Sequence, residues 1–260
     1  MKRGSLCAVG IGIRAPAQTT LEASQRIQDA DKVFSIVADS LSDYWLSKLN
    51  ASTESLARFY AVGKQRRQTY LEMVDCIVSK VRENQRVCVV SYGHPGVAAF
   101  PLHESVRRVR AEGFEAEMLA AVSAQDCLFA DLGIDPVDGG LCSYEATDFL
   151  VHRRGADPAS KLLLWQIGVI GELSFRASDR AWNPDGIAVL TERLLETYPP
   201  DHEVVVYDAA QLPIGAPTIE RVALRDLPQA PVAALSTLYV PPSENAVADE
   251  LMMRRLRLRQ

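Results

Sequence analysis

Two short apolar runs, each stopping at a glycine turn, constrain this chain more than any other feature. Residues 6–13 read LCAVGIGI, and residues 87–91 read VCVVS before Gly93-His94-Pro95-Gly96. Residues 33–37 give a third run of the same kind. Runs this short and this apolar are buried strands, and helical periodicity lies between them. Strand, turn and helix in repetition imply a parallel sheet covered by helices, and ligands of such sheets sit at the carboxyl ends of the strands. Gly10-x-Gly12 lacks the third glycine and the later acidic residue of a dinucleotide site, so a plain strand-to-loop turn explains it equally well.

The helical segments are legible from spacing and caps. Thr20 precedes a helix that starts at Leu21, with Leu21, Ile27 and Ala30 at apolar spacing. The clearest helix is predicted over residues 63–83, where Tyr70, Met73, Val74, Ile77 and Val81 share one face. Arg66 and Tyr70 are four apart, hence neighbours on that helix's surface. Residues 100–110 read as a helix stopped by Gly113. Ser123 and Asp126 form a capping box for a helix over 124–132, ended by Gly133. Composition shifts after Asp135-Pro136, and strands follow at 161–167, 203–207 and 235–240, with a helix at 185–198. These patterns predict a first domain over 1–121, a second over 122–242 and a tail over 243–260.

Bulk properties exclude several classes. At 260 residues the chain can bury a full core as one large or two ordinary domains. No window reaches the roughly 18 consecutive apolar residues of a membrane span, and MKRGSLCAVG lacks a signal peptide's apolar stretch. A cytoplasmic enzyme is the expectation. The five cysteines contain no CxxC and read as reduced structural thiols. The four histidines (His94, His103, His152, His202) show no ligand spacing, so no metal site is expected. A net charge of −5 argues against a nucleic-acid partner. The ending MMRRLRLRQ is the basic exception, either a solvated helix end or a docking tail for a partner.

The chemistry-bearing residues gather around that sheet end. Tyr60, Arg66, Tyr70 and Tyr92 fall within reach of one crevice. Phenols titrate near 10 in water, and an adjacent guanidinium favours the charged form, so such a group can deprotonate a very weak acid without a metal. Tyr70 on an apolar helix face is equally open to a core role, and Arg66 to a surface one. SYGHPGV (residues 91–97) lets backbone approach a ligand closely, with Pro95 fixing the turn; a tight turn with an incidental histidine is the alternative. Gln166, ending an apolar strand, needs a polar partner that a ligand's ring or ribose, or neighbouring backbone, can supply.

The ordered segments GxG, GHPGV, VSAQDCLFADLGIDP (122–136), LWQIG (164–168), VVVYDAAQLP (204–213) and LSTLYVPP (235–242) resemble the tetrapyrrole methylase superfamily. Within it, YGHPGV, VSAQDCLFADLGIDP, YEATDFL (144–150) and STLYVPP are similar to the borosin peptide α-N-methyltransferases. The resemblance covers residues 4–242. It implies a two-domain α/β fold, with S-adenosylmethionine in the cleft between the domains and S-adenosylhomocysteine as product. It implies that Tyr60, Arg66, Tyr70 and Tyr92 are catalytic. It also implies that Tyr92, His94, Val97, Ser123, Ala124, Gln166, Ser236 and Thr237 contact the cofactor. Tyr70 would be the base, Arg66 would stabilise an anion, and Tyr60 and Tyr92 would donate to the developing oxyanion. Ala57 stands where fungal members have a further tyrosine.

Fungal members carry their own substrate peptide at the C-terminus, whereas RRLRLRQ is unlike an apolar core peptide. The similarity is therefore to split bacterial members, which methylate a separate precursor peptide in trans. A homodimer, or a heterotetramer with the precursor, is what that resemblance implies. Two other readings remain: a C-methyltransferase of corrin or porphyrin precursors on the same fold, and a non-catalytic cofactor-binding scaffold that recognises a peptide.

Overall fold

The computed structural model describes residues 4–37, 39–178, 182–212 and 214–258. Pro213 of the VVVYDAAQLP segment, and Arg259 and Gln260 of the basic tail, lie outside the described residues. The chain forms a mixed α/β fold with two five-stranded sheets, one in each of two compact units. The first unit runs to Ile134 and includes Glu172–Ala177 and Ala209–Pro217. The second comprises Asp135–Gly171, Ser178–Asp208 and the chain from Thr218 onward. The helix after Ser123 thus groups with the N-terminal residues, whereas a division at residue 121 separates it from them.

In the first unit, β1 (Ser5–Gly10), α1 (Leu21–Asp29), β2 (Lys32–Ile36), α2 (Ser40–Leu49) and β3 (Thr53–Ser55) are followed by α3 (Arg66–Arg82). Then come β4 (Arg86–Ser91), α4 (Phe100–Ala111), β5 (Glu115–Met118) and α5 (Ala124–Leu132). The sheet order is β3-β2-β4-β1-β5 and every pairing is parallel. Side chains alternate across it as strand geometry demands. Val87 and Val89 of β4 face Met73, Val74, Ile77 and Val81 of α3, while Cys88 and Val90 face Ala23 and Ile27 of α1. Apolar runs buried on both faces are what a helix-covered parallel sheet requires.

α3 starts three residues later than its apolar pattern suggests, because a tertiary pairing claims the residues before it. The Gly63 N–H donates to the Phe175 carbonyl at 3.0 Å, and the Phe175 N–H donates to the Lys64 carbonyl at 2.9 Å. Gln65 bridges to Ser174 with extended backbone, and only then does the helix begin. Helix α5 matches its expected bounds. The Ser123 and Asp126 side chains cap each other's backbone N–H groups, and Gly133 closes the helix in the left-handed region.

The second unit contains β6 (Leu141–Glu145), α6 (Ala146–Val151), β7 (Lys161–Trp165), α7 (Pro184–Leu195), β8 (Glu203–Asp208), β9 (Thr218–Ala223), β10 (Thr237–Val240) and α8 (Glu250–Arg255). Its sheet order is β6-β7-β10-β8-β9; β6 and β7 are parallel and the other pairs antiparallel. The core joins Leu162, Leu164, Val204, Val206, Leu238 and Val240 to Ile187, Leu190 and Leu194 of α7. Helix α8 buries none of its residues, and Leu251, Leu256 and Leu258 of the tail are exposed. Among the described residues, no helix is long and apolar enough to cross a membrane, and no group of acidic, histidine or cysteine side chains could hold a metal.

Candidate active site

Three of the loops that leave the carboxyl edge of the first unit's sheet carry candidate residues, and a fourth carries the Gly10-x-Gly12 turn. Tyr60 follows β3 through a single 3-10 turn, Leu56–Phe59. Tyr92 and His94 follow β4, Ser123 follows β5, and the Gly10-Gly12 turn follows β1. Arg66 and Tyr70 open helix α3. A cavity of about 460 Å³ opens instead at the amino ends of β1, β4 and β5, lined by Arg26, Arg86, Glu115 and Glu117 among others. It holds none of the candidate residues, and the parallel-sheet rule identifies the opposite edge as the chemical one.

The two glycine turns are built against each other. A Cβ on Gly10 would lie 2.1 Å from the Gly93 carbonyl oxygen, so only glycine permits that approach. The Gly93 N–H donates to the Gly12 carbonyl at 2.7 Å, and the Tyr92 N–H to the Ile36 carbonyl at 3.2 Å. Both hold Tyr92 at the strand edge. His94 Nδ1 accepts the Gly96 N–H at 2.9 Å, so a neutral imidazole here carries its proton on Nε2. His103 Nε2 lies 2.9 Å from the Gly96 carbonyl, tying the turn to α4. Val97 is exposed beyond the turn, its N–H held by the His94 carbonyl at 3.1 Å.

Tyr60, Arg66, Tyr70 and Tyr92 form one electrostatic group. The Tyr60 and Tyr70 rings meet edge to face at 6.4 Å between centroids. Tyr60 also packs on Phe175 at 4.9 Å, and Tyr70 on Phe100 at 6.2 Å. Burial raises the Tyr60 pKa most; the charge of Tyr70, the hydrogen-bonding interaction with Tyr70 and the charge of Tyr92 add to it, while Arg66 opposes. Together these influences favour the protonated form of Tyr60, whose geometric contact with Tyr70 is the edge-to-face ring packing. Tyr92, 40% exposed as a residue, still has its pKa raised, first by burial and then by Tyr70. Tyr60 and Tyr92 thus remain protonated donors around Tyr70. Tyr70 contributes to the apolar cluster of α3 as well, so its core role and its place in this group coexist.

Arg66 is held by the segment that displaced the start of α3. Its N–H donates to the Leu173 carbonyl at 2.8 Å, and its Nη2 donates to the Glu172 carbonyl. One anchor fixes the backbone of Arg66 and the other its guanidinium, so both ends of the residue are positioned by the same segment. Residues 172–177 showed nothing of this in the sequence. Their role depends on strand-like pairing with residues 63–66, a contact between positions more than a hundred apart.

Ser123 and Ala124 sit at the start of α5. The Ser123 hydroxyl is 2.7 Å from Asp126 Oδ2 and also caps the Asp126 N–H, so its proton and one lone pair are committed to the helix. What Ser123 and Ala124 offer a ligand is backbone.

Gln166, Ser236 and Thr237 lie together in the second unit. Gln166 ends β7 with φ 59 and ψ 41, a left-handed conformation costly for a side chain of this size. The Ile167 N–H donates to the Ser236 carbonyl at 3.0 Å. Ser236 is fully buried and Thr237 is 3% exposed. Gly168 packs so closely on the loop before Ser236 that a Cβ there would meet the Ala233 carbonyl oxygen at 2.0 Å. The corner also contains Asp208 at the end of β8, with both carboxylate oxygens 2.9 Å from Ser236 Oγ. Burial raises its pKa, and Ser236 partly offsets that. An aspartate closing the run VVVY was the available signal for it, and the sequence reading did not use it.

Residues 5–227 match the family model described as Tetrapyrrole (Corrin/Porphyrin) Methylases. The chain is 40% identical over 259 residues to the methyltransferase/ribosomally synthesized cyclic peptide gymnopeptides precursor of Gymnopus fusipes, covering 98% of this chain and 61% of that protein. It is 38% identical over 261 residues to the corresponding omphalotin A precursor of Omphalotus olearius, covering 99% and 62%. The chain thus spans about three fifths of the length of these relatives. Among solved structures, uroporphyrin-III-C-methyltransferase from Thermus thermophilus aligns with a TM-score of 0.65 at 20% identity, over 92% of this chain and 93% of that one. The cobalamin biosynthetic enzyme cobalt precorrin-4 methyltransferase aligns at 0.62 and 19%, over 91% and 94%.

Proposed function

The chain belongs to the tetrapyrrole (corrin/porphyrin) methylase family, and from that premise we propose that it is an S-adenosylmethionine-dependent methyltransferase acting on backbone amide nitrogens of a peptide. The observation that carries the reading is the Tyr60–Tyr70–Tyr92–Arg66 group: the Tyr60 and Tyr70 rings meet edge to face, Arg66 lies one turn before Tyr70 on α3, and burial keeps Tyr60 and Tyr92 protonated. Two fungal relatives whose names join a methyltransferase to a ribosomal cyclic-peptide precursor support the substrate class. The structural neighbours at 19–20% identity speak only to the fold.

The polar groups of each unit support this cofactor. In the second unit, the left-handed Gln166, with no side-chain hydrogen bond to the described residues, and the buried Ser236 with half-buried Asp208 offer donors and acceptors of the kind a nucleoside uses; in the first, the backbone of the Tyr92–Val97 turn offers others. His94, Ser123, Ala124 and Thr237 would complete that contact set. When bound, the cofactor supplies a methyl group made electrophilic by its sulfonium. The protein's task is to make the amide nitrogen a nucleophile, since its lone pair is otherwise delocalised into the carbonyl.

Tyr70 Oη, as the phenolate, would accept the amide proton; the electron pair left on nitrogen is shared with the carbonyl oxygen as an imidate, and that nitrogen would take the methyl as the sulfonium's S–C bond breaks and leaves a thioether. Tyr60, whose ring meets that of Tyr70 edge to face at 6.4 Å, keeps its proton because burial raises its pKa. Tyr92 is then the donor to the developing oxyanion, a contribution of about 10²–10³ in rate for such groups. Arg66, fixed by the Glu172 and Leu173 carbonyls, supplies the compensating charge. Holding the amide and the methyl donor in line accounts for a further share.

In this reading the precursor is a separate peptide and the enzyme a homodimer, as the resemblance to split members implies. It works in the cytoplasm, where its five thiols, none paired in the structure, stay reduced. The test is co-expression with candidate precursor peptides, followed by tandem mass spectrometry. Mass increments of one methyl for hydrogen on backbone nitrogen are expected. A methylated macrocycle, or cofactor binding with no methylated product, would refute the reading.

A further inference from the structure

At the corner where β7 and β8 end and β10 begins, Asp208 has hydrogen-bonding capacity that the protein does not fill. Both of its carboxylate oxygens stand 2.9 Å from Ser236 Oγ. That hydroxyl accepts the Ala233 N–H at 2.9 Å and has one proton of its own, so it serves one carboxylate oxygen at a time. No other described residue donates a hydrogen bond to the Asp208 carboxylate, and none of the ion pairs among them involves it. A half-buried carboxylate with one donor and no cation is a costly arrangement to keep empty. On the other side of Ser236, whose carbonyl receives the Ile167 N–H, Gln166 holds a strained left-handed backbone and an amide without a hydrogen-bond partner among the described residues. The close approach of Gly168 to Ala233 fixes the two turns to one another. The acceptor and the amide are therefore preorganised around one buried serine.

We propose that Asp208 is a specificity-determining contact of the cofactor site, its open carboxylate oxygen accepting a hydrogen bond from an N–H or O–H of the nucleoside, with the Gln166 amide engaging the group beside it. The inference rests on the cofactor reading above. Ser236 is a positioning residue, since it acts by orienting the carboxylate. A nucleoside that presents a lone pair, or nothing, where the donor belongs leaves the carboxylate unpaired. Such mismatches are rejected more strongly than a missing apolar contact. The donor is either the exocyclic amine of the base or a ribose hydroxyl, and the ligand series below separates them.

Titration calorimetry with S-adenosylhomocysteine, S-inosylhomocysteine (a carbonyl in place of the exocyclic amine) and the 2′- and 3′-deoxyribosyl analogues provides the test. The unaltered protein is expected to bind one donor-lacking ligand about ten- to a hundredfold more weakly than S-adenosylhomocysteine. Asp208→Ala is expected to bind S-adenosylhomocysteine weakly and to lose that discrimination, while still discriminating the other ligands as before. Asp208→Asn serves if the alanine variant does not fold; its amide can donate, so the preference should shrink or reverse. An equal loss of affinity for every ligand, or discrimination unchanged by either substitution, would overturn the role of Asp208. If the folded unaltered protein bound none of the ligands, the cofactor reading itself would fall, and this inference with it.

Discussion

The two halves of the molecule build polar corners by different means. In the first unit all strands run the same way, so Gly10, Ile36, Ser55 and Ser91 end on one edge, and the loops beyond them bring Tyr60, Tyr92 and Ser123 there. In the second, β10 runs against β7 and β8, so its first residue meets their last, and Ser236 falls between Gln166 and Asp208. The parallel edge collects phenols and a guanidinium, which suit proton transfer. The antiparallel corner collects a carboxylate, a hydroxyl and an amide, which suit recognition. The account therefore predicts two kinds of damage: lost turnover with binding intact from the first, lost binding with altered selectivity from the second.

The largest expected effect is at Tyr92. Tyr92→Phe removes the oxyanion donor and should lower the single-turnover rate by about 10²–10³ while cofactor affinity stays within a few-fold. Rapid-quench methylation of a saturating peptide checks this; a loss confined to affinity would erase the contrast between the units. Next is Phe175, whose ring holds Tyr60 at 4.9 Å. Aromatic pairs of this kind contribute about 0.5–1.5 kcal/mol, so Phe175→Leu should cost turnover a few-fold to tenfold. The same assay, with a thermal melt beside it, distinguishes displacement of Tyr60 from loss of fold.

A smaller, purely structural effect is expected at Ser123. Ser123→Ala removes the α5 cap and should lower stability by about 1 kcal/mol, read by urea denaturation, with the methylation rate per bound cofactor unchanged. A rate loss would instead give Ser123 a chemical role. The smallest effect is on pH dependence. The Tyr60 and Tyr92 pKa values are raised, so both phenols keep their protons as pH rises through the ordinary tyrosine value of about 10. Their donor function is present below the raised values and is lost only above them. The rate should therefore show no descending limb approaching pH 10 from these two groups; such a limb, absent in Tyr92→Phe, would contradict the assignment.

The contrast also explains what the sequence made visible. The parallel unit was legible because its strands are continuous apolar runs and its turns carry Gly and Pro. The α5 helix was legible because Ser123, Asp126 and Gly133 are local signals. β3, at the sheet edge, has only three residues and no apolar run (Thr53–Ser55), and α2 before it was equally silent. β9 is an edge strand with most of its residues exposed, so burial left no mark on TIERVA. The register of Arg66 was visible as a four-residue spacing to Tyr70, but its anchors were not, because Glu172 and Leu173 reach it through backbone carbonyls that carry no side-chain signature. Asp208 was missed for a related reason: an aspartate at a strand end gains its meaning only when an antiparallel neighbour delivers Ser236 beside it.

Tyr70→Phe tests the central claim most directly, because it deletes one oxygen and leaves the ring packed on Phe100 and the α3 core. With cofactor binding and thermal stability measured on the same preparation, the account predicts near-wild-type affinity and melting and loss of most backbone methylation in a single turnover. Wild-type methylation by that variant would contradict it.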